Sequence, residues 1–253
     1  MILQIIGLPG SGKTTLAREL CRRTDGIHIN GDEVRSELSS DLGFSAEDRE
    51  EQARRLGSMS RLLSKQGKLV IVDFVNPTRE TRKAFGLANF VVWVNRITYS
   101  RFEDTNNMWQ LPESDLVISH GQSIHEEAEL VLKSAEILDW TKPTTLQLGR
   151  YQPWHEGHEA LKAEALKRTS QVLLGVRNTQ GVSEKDPFSF EEVKSMIIDH
   201  SGQNNSNSLV LKLPNITNIV YGRDVGYKIE HIDLPADIKA ISATQKRKEM
   251  GID

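Results

Sequence analysis

A mostly apolar run that ends in a glycine-rich loop places the strongest constraint on this fold. Residues 2–6 (Ile-Leu-Gln-Ile-Ile) lead directly into residues 7–14 (Gly-Leu-Pro-Gly-Ser-Gly-Lys-Thr), which fit the pattern G-x-x-x-x-G-K-[ST]. Leu16, Ala17 and Leu20 then follow at helical spacing. A strand, a glycine turn and a helix in this order predict the start of a parallel sheet with helices packed on it.

The chemistry of the loop predicts a triphosphate site. Glycines allow consecutive backbone N–H groups to point at phosphate oxygens, and the helix N-terminus adds positive potential. We expect Lys13 to reach the β- and γ-phosphates of ATP and the Thr14 hydroxyl to ligate Mg²⁺. A glycine-rich turn that matches by chance is the alternative, but the strand before the loop and the helix after it are the context that the motif requires. The other residues expected to contact the phosphates are Gly7, Gly10, Ser11, Gly12 and Thr15.

Strand-like and helix-like segments alternate along the rest of the chain. Further buried strands are predicted at residues 69–72, 90–94, 116–118, 145–148, 172–176 and 209–213. Helices are predicted at residues 46–66, 160–166 and 189–200. This alternation predicts an α/β fold in which each sheet is parallel and is covered by helices on both faces.

The same opening pattern occurs twice, which predicts two domains. Residues 145–148 lead into a glycine turn and a helical pattern, as the first strand does. Before them, an amphipathic stretch at residues 124–138 is followed by a polar, proline-containing segment at residues 140–144. We place the domain boundary in that segment, since polar residues with proline are typical of linkers. The predicted domains are residues 1–142 and residues 143–253.

Composition and charge narrow the function classes. The 253 residues carry a formal net charge of −3, so the chain lacks the basic excess that is typical of nucleic-acid-binding proteins. No apolar run approaches the about 20 residues that span a bilayer, and Met1 leads straight into the first strand without a secretory leader. The single cysteine, Cys21, indicates a reducing compartment. We therefore expect a cytoplasmic protein that acts on small nucleotides, without nucleic-acid or membrane partners, and oligomerisation stays open.

Charged residues beyond the loop suggest how an acceptor would be held. Phosphoryl transfer needs a carboxylate near the attacking hydroxyl, and Asp32 is placed in the sequence to supply it. Asp73, at the end of an apolar run, is either a further metal residue or a helix cap. An anionic acceptor would need cations, and ordinary surface ion pairs are the alternative role for each of them. The candidates are Arg35, Arg49, Arg79 and Arg82.

Four motifs in the first part of the chain resemble those of adenylylsulfate kinases. The glycine-rich loop is followed by residues 30–35 (Asn-Gly-Asp-Glu-Val-Arg), 41–51 (Asp-Leu-Gly-Phe-Ser-Ala-Glu-Asp-Arg-Glu-Glu) and 74–79 (Phe-Val-Asn-Pro-Thr-Arg). The resemblance extends over residues 1 to about 95. It implies a P-loop kinase fold and transfer of a phosphoryl group from MgATP to adenylylsulfate.

The resemblance also implies roles for single residues. Carried over by position, Phe44 would stack on the adenine of the acceptor nucleotide. Asp32 would serve the 3′-hydroxyl or the metal. The residues expected to hold the rest of the acceptor are Arg35, Arg49, Asn76 and Arg79, of which the first two would bind its phosphosulfate.

Several positions depart from the pattern of adenylylsulfate kinases. Asn30 stands where that family usually has aspartate, Gln52 where it usually has asparagine, and Asn76 where it usually has serine. The long lid of the family, with its Gly-Leu-Tyr segment, is replaced by a short acidic stretch within residues 96–115. A lid excludes water and completes the acceptor site. Its loss leaves the acceptor open: adenylylsulfate is favoured, and a nucleoside such as nicotinamide riboside is the alternative.

A second constellation lies at the start of the second part. Residues 149–158 (Gly-Arg-Tyr-Gln-Pro-Trp-His-Glu-Gly-His) place His155 and His158 on one face of a loop-to-helix junction. Gly157 between them is expected to let a nucleotide approach the backbone. A zinc pair and two structural histidines are the alternatives, although no cysteine or third histidine accompanies the pair. Residues 241–247 (Ile-Ser-Ala-Thr-Gln-Lys-Arg) add hydroxyls at a helix start, followed by an arginine.

Together these two segments resemble the nucleotidylyltransferase superfamily that carries His-x-Gly-His and Ile-Ser-x-Thr-x-x-Arg. With residues 178–180 (Asn-Thr-Gln) and 186–188 (Asp-Pro-Phe), the pattern looks most like nicotinamide-mononucleotide adenylyltransferases of the archaeal type. The resemblance extends over residues 144 to about 250. It implies a Rossmann-like domain in which a substrate phosphate attacks the α-phosphate of a nucleoside triphosphate and pyrophosphate leaves.

The resemblance also implies that no covalent intermediate forms during this nucleotidyl transfer. His155, His158 and Arg247 would stabilise charge on the phosphates, and Mg²⁺ would bridge the triphosphate. The residues expected to bind the nucleotide are Gly149, Arg150, Ser242 and Thr244.

The combined prediction is a bifunctional enzyme in which both domains use ATP with Mg²⁺. One hypothesis has the first domain phosphorylate adenylylsulfate and the second adenylylate nicotinamide mononucleotide. Another is a short NAD salvage route, in which the first domain phosphorylates nicotinamide riboside for the second. A third hypothesis, from a different class, is that one domain binds nucleotide without turnover; Asn30, the short lid and the end of the chain soon after Arg247 motivate it.

Overall fold

The computed structural model describes residues 1–178, 183–201, 207–220, 222, 226 and 228–252. The predicted motif residues Thr179 and Gln180 lie outside the described residues. Contacts divide the chain into two compact units. The first comprises Met1–Ala135 with Asp139–Thr141, and the second comprises Glu136–Leu138 with Lys142–Asp253.

The first unit contains a five-stranded parallel sheet with the strand order β2-β3-β1-β4-β5. Its strands are β1 (Ile2–Ile6), β2 (Ile27–Asn30), β3 (Val70–Asp73), β4 (Phe90–Val94) and β5 (Leu116–Ile118). Its helices are α1 (Lys13–Arg22), α2 (Gly31–Glu37), α3 (Ala46–Lys65), α4 (Arg79–Phe85), α5 (Glu103–Met108) and α6 (Ile124–Ser134). The α/β class and the parallel sheet predicted for this part are therefore confirmed.

The central strands explain why the strand predictions were reliable. Every residue of β1 and β3 is buried, as expected for strands that have a parallel neighbour on each side and packed faces. The register pairs Ile5 with Asp73 and Asn30 with Asp73. Asn30 and Asp73 thus lie next to each other at the carboxyl end of the sheet, where β1 runs into the glycine-rich loop.

Helix ends follow the local capping chemistry. The Asn30 side chain accepts hydrogen bonds from the backbone N–H groups of Asp32 and Glu33, so α2 begins at the sheet edge. Ser45 caps α3, which ends at Lys65, one residue before the predicted end. The amphipathic stretch at residues 124–138 is helical up to Ser134, where α6 ends. The chain turns out of the helix there, and Glu136 adopts a positive φ of 55°.

The second unit contains a three-stranded parallel sheet with the order β6-β7-β8. Its strands are β6 (Thr145–Gly149), β7 (Val172–Arg177) and β8 (Ser208–Leu213). Its helices are α7 (Glu156–Thr169), α8 (Phe190–Ser201), α9 (Ala236–Lys239) and α10 (Ala243–Glu249). Its core joins β7 to α8 through Val172, Leu174, Val176, Val193 and Ile197. In the parts of the chain that the structure describes, no helix is long and apolar enough to cross a membrane.

A buried ion pair within the first unit yields a stability prediction. The Arg23 guanidinium donates to Asp139 Oδ2 from Nε at 2.9 Å and to the carbonyl of His125 at 2.9 Å. We expect Arg23→Met to lower the free energy of unfolding of this unit by about 3–5 kcal/mol, because Asp139 would keep a buried charge without its cation. Urea unfolding measures the loss. The neighbouring Arg22 is exposed, so Arg22→Met should change the midpoint little, and equal effects of both variants would contradict the prediction.

The same ion pair makes the stability of the first unit depend on pH. Although burial opposes it, hydrogen bonds from Thr141 and Arg23 lower the pKa of Asp139. A carboxyl group whose pKa is lower in the folded state stabilises the fold above its unfolded pKa of about 4, and this stabilisation is lost as the pH falls. The difference between the native chain and Arg23→Met should therefore shrink below about pH 4.

Candidate active site

The glycine-rich loop needs its glycines for two reasons. Gly10 and Gly12 adopt positive φ values of 86° and 94°, which side chains other than glycine rarely tolerate. A Cβ on Gly7 would lie 2.5 Å from the carbonyl oxygen of Val94, and one on Gly12 would lie 2.1 Å from Arg96 Nη1. Neighbouring strands and side chains therefore pack directly against the loop backbone.

Lys13 is buried at the first position of α1, and its ammonium group donates to the carbonyl oxygen of Leu8 at 2.9 Å. Burial lowers the pKa of Lys13 to about 8, against the opposing attraction of Asp73 and Asp32. The hydroxyl of Ser11 in the same loop is buried and has no hydrogen-bond partner among the described residues. A phosphate in the loop would supply the negative charge that this buried ammonium group lacks at close range.

The Thr14 hydroxyl faces a carboxylate. It donates to Asp73 Oδ2 at 2.7 Å, the Asn30 amide donates to both oxygens of Asp73 at 3.1 and 3.2 Å, and His28 Nε2 lies 2.6 Å from Oδ1. Burial raises the pKa of Asp73, but these hydrogen bonds outweigh it and lower the pKa below its usual value. The helix-cap alternative for Asp73 is wrong in the described structure, where Asn30 caps α2 and Thr78 caps α4.

One cleft of about 1190 Å³ joins the glycine-rich loop to the aromatic and basic residues that sequence motifs had singled out. Asp32 lies on its wall, in the first turn of α2. The predicted residues that line the cleft at the loop are Gly10, Gly12, Lys13, Thr14 and Thr15. The predicted residues that line it at the other end are Arg35, Phe44 and Arg49. The residues predicted to bind a triphosphate and those predicted to bind an acceptor therefore line one cleft.

The end of the cleft opposite the loop, here called the acceptor end, is built around Phe44. The ring is 65% exposed, and the guanidinium carbons of Arg35 and Arg49 lie 4.8 and 5.5 Å from its centroid. Arg35 donates to the carbonyl of Gly43, and Arg49 donates to the carbonyl of Phe44 at 3.0 Å. The two cations and the exposed ring form a surface for an anionic, aromatic molecule.

The residues of the motif at 74–79 differ in whether they lie at the acceptor end. Asn76 is buried in a side cavity next to Phe44, and neither of its amide atoms has a hydrogen-bond partner among the described residues. Arg79 does not belong to the residues that line either cavity, and its backbone N–H donates to Gln110 Oε1 at 2.8 Å. The structure therefore brings Asn76, but not Arg79, to the acceptor end.

A segment of the wall was not singled out from the sequence. Tyr99, Arg101 and Phe102 line the cleft, and Asp104 on α5 accepts a hydrogen bond from Arg49 at 2.6 Å. Hydrogen bonds from the N–H and hydroxyl of Ser100 to Asn106 Oδ1, at 2.9 and 2.8 Å, fold this segment on itself. The only signal for this segment in the sequence was its acidic stretch. Because its residues line the cleft, the short segment that stands where a lid was expected contributes to the candidate site.

Comparison with known proteins agrees with this geometry over the first third of the chain. Residues 1–90 match the adenylylsulphate kinase family. Residues 1–90 are an adenylylsulfate kinase-like P-loop kinase region. The probable adenylyl-sulfate kinase of Bacillus subtilis is 44% identical over 87 residues, which are 32% of this chain and 44% of that protein. The adenylyl-sulfate kinase of Shewanella pealeana is 46% identical over 88 residues, which are 33% of this chain and 43% of that protein.

The kinase-like match is partial in both directions. The chain spans less than half the length of these curated relatives. The bifunctional enzyme NodQ of Rhizobium meliloti is 42% identical over 87 residues, which are 14% of that protein. Among solved structures, the Mycobacterium tuberculosis APS kinase CysC in complex with AMPPNP and APS aligns with 53% of this chain and 96% of its own, at 28% identity and a TM-score of 0.49.

Beyond the kinase-like region, the two histidines of the second unit lie together. The rings of His155 and His158 are 3.8 Å apart between centroids and inclined by 30°. His155 caps α7 by accepting a hydrogen bond from the Gly157 N–H at 3.1 Å. Burial, and to a smaller extent the neighbouring His155, lower the pKa of His158 to about 3, so His158 is neutral near pH 7. Its Nδ1 is buried without a hydrogen-bond partner in the described ranges.

The glycines of this motif also permit close packing within the motif itself. A Cβ on Gly157 would lie 2.9 Å from the ring of His155. A Cβ on Gly149 would lie 2.5 Å from the ring of Tyr151. Both glycines allow side chains of the same motif to pack over the backbone.

The C-terminal motif reaches the histidine motif. Arg247 donates to the carbonyl of Gln152 at 3.0 Å and to the Thr244 hydroxyl at 3.4 Å. Ser242 caps α10, as predicted, by accepting a hydrogen bond from the Gln245 N–H. Arg150 lies elsewhere in the motif and pairs with Asp186 at 3.3 Å. The structure therefore brings Arg247 and Thr244 next to the loop that carries His155.

Proposed function

We propose that the first unit transfers the γ-phosphoryl group of MgATP to a hydroxyl of a small nucleotide, with adenylylsulfate as the favoured acceptor. The observation that carries the proposal is the single cleft between the glycine-rich loop and Phe44. Phosphoryl transfer depends on positioning two substrates and stabilising charge, and one shared cleft meets the first requirement. The match of residues 1–90 to adenylylsulphate kinases supports the same acceptor.

Each part of the proposed reaction is assigned to particular residues of the cleft. The acceptor hydroxyl attacks the γ-phosphorus, the bond from that phosphorus to the β–γ bridging oxygen breaks, and ADP leaves. Asp32 accepts the hydroxyl proton, and the Lys13 ammonium stabilises charge on the phosphates. Arg35 and Arg49 hold the anionic group of the acceptor while its ring stacks on Phe44.

The residues at the loop fit a magnesium ion. Adenylylsulfate kinases use ATP with Mg²⁺. The hydroxyl of Thr14 and the carboxylates of Asp32 and Asp73 are oxygen ligands of the kind that Mg²⁺ prefers, and all three line the cleft. Thr14 with these carboxylates would hold the ion, which when bound neutralises part of the charge on the triphosphate.

The test is an acceptor panel with the full chain. Purified protein is incubated with MgATP and adenylylsulfate, nicotinamide riboside, nicotinamide mononucleotide or a simple phospho-alcohol, and mass spectrometry follows ADP and pyrophosphate. We expect ADP with adenylylsulfate. ADP with nicotinamide riboside alone would replace the favoured acceptor, and no acceptor-dependent ADP would contradict the kinase proposal.

Phe44 provides a prediction specific to the acceptor. Stacking of a base on an aromatic ring is worth about 1–3 kcal/mol. Phe44→Ala should therefore raise the KM for the acceptor by about 10-fold or more, while the KM for ATP stays the same. Phe44→Tyr keeps a ring and should remain close to the native chain in steady-state ADP assays. Equal changes in both KM values for Phe44→Ala would contradict the assigned contact.

A second activity is proposed for the second unit, with residues 1–142 as the kinase domain and residues 143–253 as a Rossmann-like nucleotidylyltransferase domain. The supporting observation is that two stacked, partly or fully buried imidazoles lie beside a loop that also binds Arg247. Groups held in this way can stabilise charge on a triphosphate while a phosphate attacks its α-phosphorus and pyrophosphate leaves. Nicotinamide mononucleotide is the favoured substrate.

The two proposals can fail separately. In the panel above, pyrophosphate with nicotinamide mononucleotide supports the second activity, and ATP binding to the second unit without pyrophosphate from any acceptor supports a silent nucleotide-binding module. ADP with nicotinamide riboside together with pyrophosphate from the mononucleotide would support a salvage sequence in one chain.

A further inference from the structure

Two buried carboxamides at the acceptor end lack hydrogen-bond partners. Asn76 is 1% exposed, and both Nδ2 and Oδ1 are unpaired among the residues that the structure describes. Gln52 is 3% exposed; its Nε2 donates to the carbonyl of Gly31 at 3.1 Å, and its Oε1 is unpaired within the same residues. Both side chains line a side cavity of about 60 Å³ that also borders Phe44.

Such groups are unfavourable unless something binds them. A buried amide without partners loses its hydration and gains nothing in return, so nearly all buried polar groups in native proteins are paired. Asn76 also holds a positive φ of 49°, which only a few residue types other than glycine adopt. An unpaired, strained amide in the wall of a substrate cleft indicates that a ligand completes it.

The unpaired atoms specify the chemistry of that ligand. The Nε2 of Gln52 is engaged by Gly31, so its Oε1 can only accept a hydrogen bond. Asn76 offers one acceptor oxygen and one donor nitrogen. A sulfate or phosphate group accepts hydrogen bonds only, and would leave the two amide oxygens unpaired. The fitting group has an N–H donor next to a lone-pair acceptor.

We infer that Asn76 and Gln52 select the acceptor by its ring system, and that this ring carries an N–H donor beside a lone-pair acceptor. The inference rests on the proposed kinase function and narrows its substrate class. Two sources share this chemistry: the exocyclic amino group of adenine with an adjacent ring nitrogen, and the primary carboxamide of nicotinamide. Ring systems without such a donor are poor ligands.

Equilibrium binding to the full chain tests the inference with two matched ligand pairs. The first pair is adenylylsulfate and its counterpart without the 6-amino group, and the second is nicotinamide riboside and its 3-acetylpyridine analogue. Both analogues keep the ring system and charge of the parent and lose the N–H donor. We expect the parent of one pair to bind about 10- to 100-fold more tightly than its analogue. The pair that shows this preference identifies the source.

Variants assign the preference to the two amides. Asn76→Gly removes the amide and keeps a residue that accepts the positive φ, so we expect affinities for parent and analogue to become equal. Gln52→Met should reduce the preference as well, and serves as the test if Asn76→Gly does not fold. The exposed amide of Gln66, at the end of the same helix as Gln52, provides the control, and Gln66→Ala should keep the full preference.

The outcomes separate this inference from the kinase proposal. Tight, donor-dependent binding without ADP formation would support the amide selection and contradict the kinase proposal. ADP formation with equal affinity for both members of each pair would support the kinase proposal and contradict the amide selection. It would indicate that water alone pairs with the amides. A preference that persists in Asn76→Gly and Gln52→Met, or no binding of either parent, would overturn the inference.

Discussion

Replacement of Lys13 by alanine is expected to lower ADP formation by about 10²- to 10³-fold and to leave pyrophosphate release unchanged. The size of the loss follows from removing a buried, preorganised charge that would contact the transferred phosphoryl group. Lys13 is buried, its partner is a neutral carbonyl, and its pKa is lowered to about 8. The positive charge is therefore held where a phosphate in the loop would balance it at close range.

Lys65→Ala is the control for this experiment, because Lys65 is an exposed lysine in the last turn of α3. Single-turnover ADP formation and pyrophosphate release are measured on the same preparations, with a thermal melt for each variant. Loss of both activities in a folded Lys13→Ala variant would contradict two separate sites. An unchanged rate of ADP formation would remove Lys13 from the proposed mechanism.

Replacement of His158 by alanine is expected to produce the opposite pattern, with pyrophosphate release lowered by about 10²-fold or more and ADP formation unchanged. His158 is neutral because of burial, so it would act as a hydrogen-bond donor to the phosphates and not as a fixed charge. Its ring also stacks on His155 and contacts Tyr151 and Trp154, with centroids 5.0 and 5.3 Å away.

These ring contacts mean that His158→Ala also creates a cavity, so a second variant is needed. His158→Asn is smaller than the native ring but keeps a hydrogen-bond donor, and should retain more pyrophosphate release than alanine at similar stability. His231→Ala changes an exposed histidine of the second unit and is the control. Full pyrophosphate release by a folded His158→Ala variant would refute the assigned role.

The strands and long helices of this protein could be predicted because their signals are local. Apolar runs such as residues 90–94 and the cap at Ser45 specify their own elements, whatever lies next to them in space. The end of α6 shows the limit of such signals: amphipathic spacing continues to Leu138, but the helix ends at Ser134 and Glu136 adopts a positive φ. A change in backbone direction at a residue other than glycine or proline leaves little trace in the pattern.

The candidate site was predictable only where a motif named it. The glycine-rich loop, Asp32, Phe44, Arg35 and Arg49 all lie along one cleft. Arg79 was expected there on the same grounds and does not line it, because a motif orders residues along the chain and not around a cavity. Tyr99 and Phe102 were missed, since aromatic residues in a loop match no motif spacing.

By itself, the sequence determined the strand–loop–helix with its glycine-rich phosphate-loop motif, the alternating α/β architecture and several of the charged and aromatic residues that line the cleft. Only the tertiary structure decided which groups meet across the sheet: Asp73 with Thr14 and His28, and Asn76 with Gln52 in one cavity. The reason is physical. Chain connectivity and periodicity act over a few residues, whereas hydrogen bonds and burial join positions that the register of parallel strands brings together.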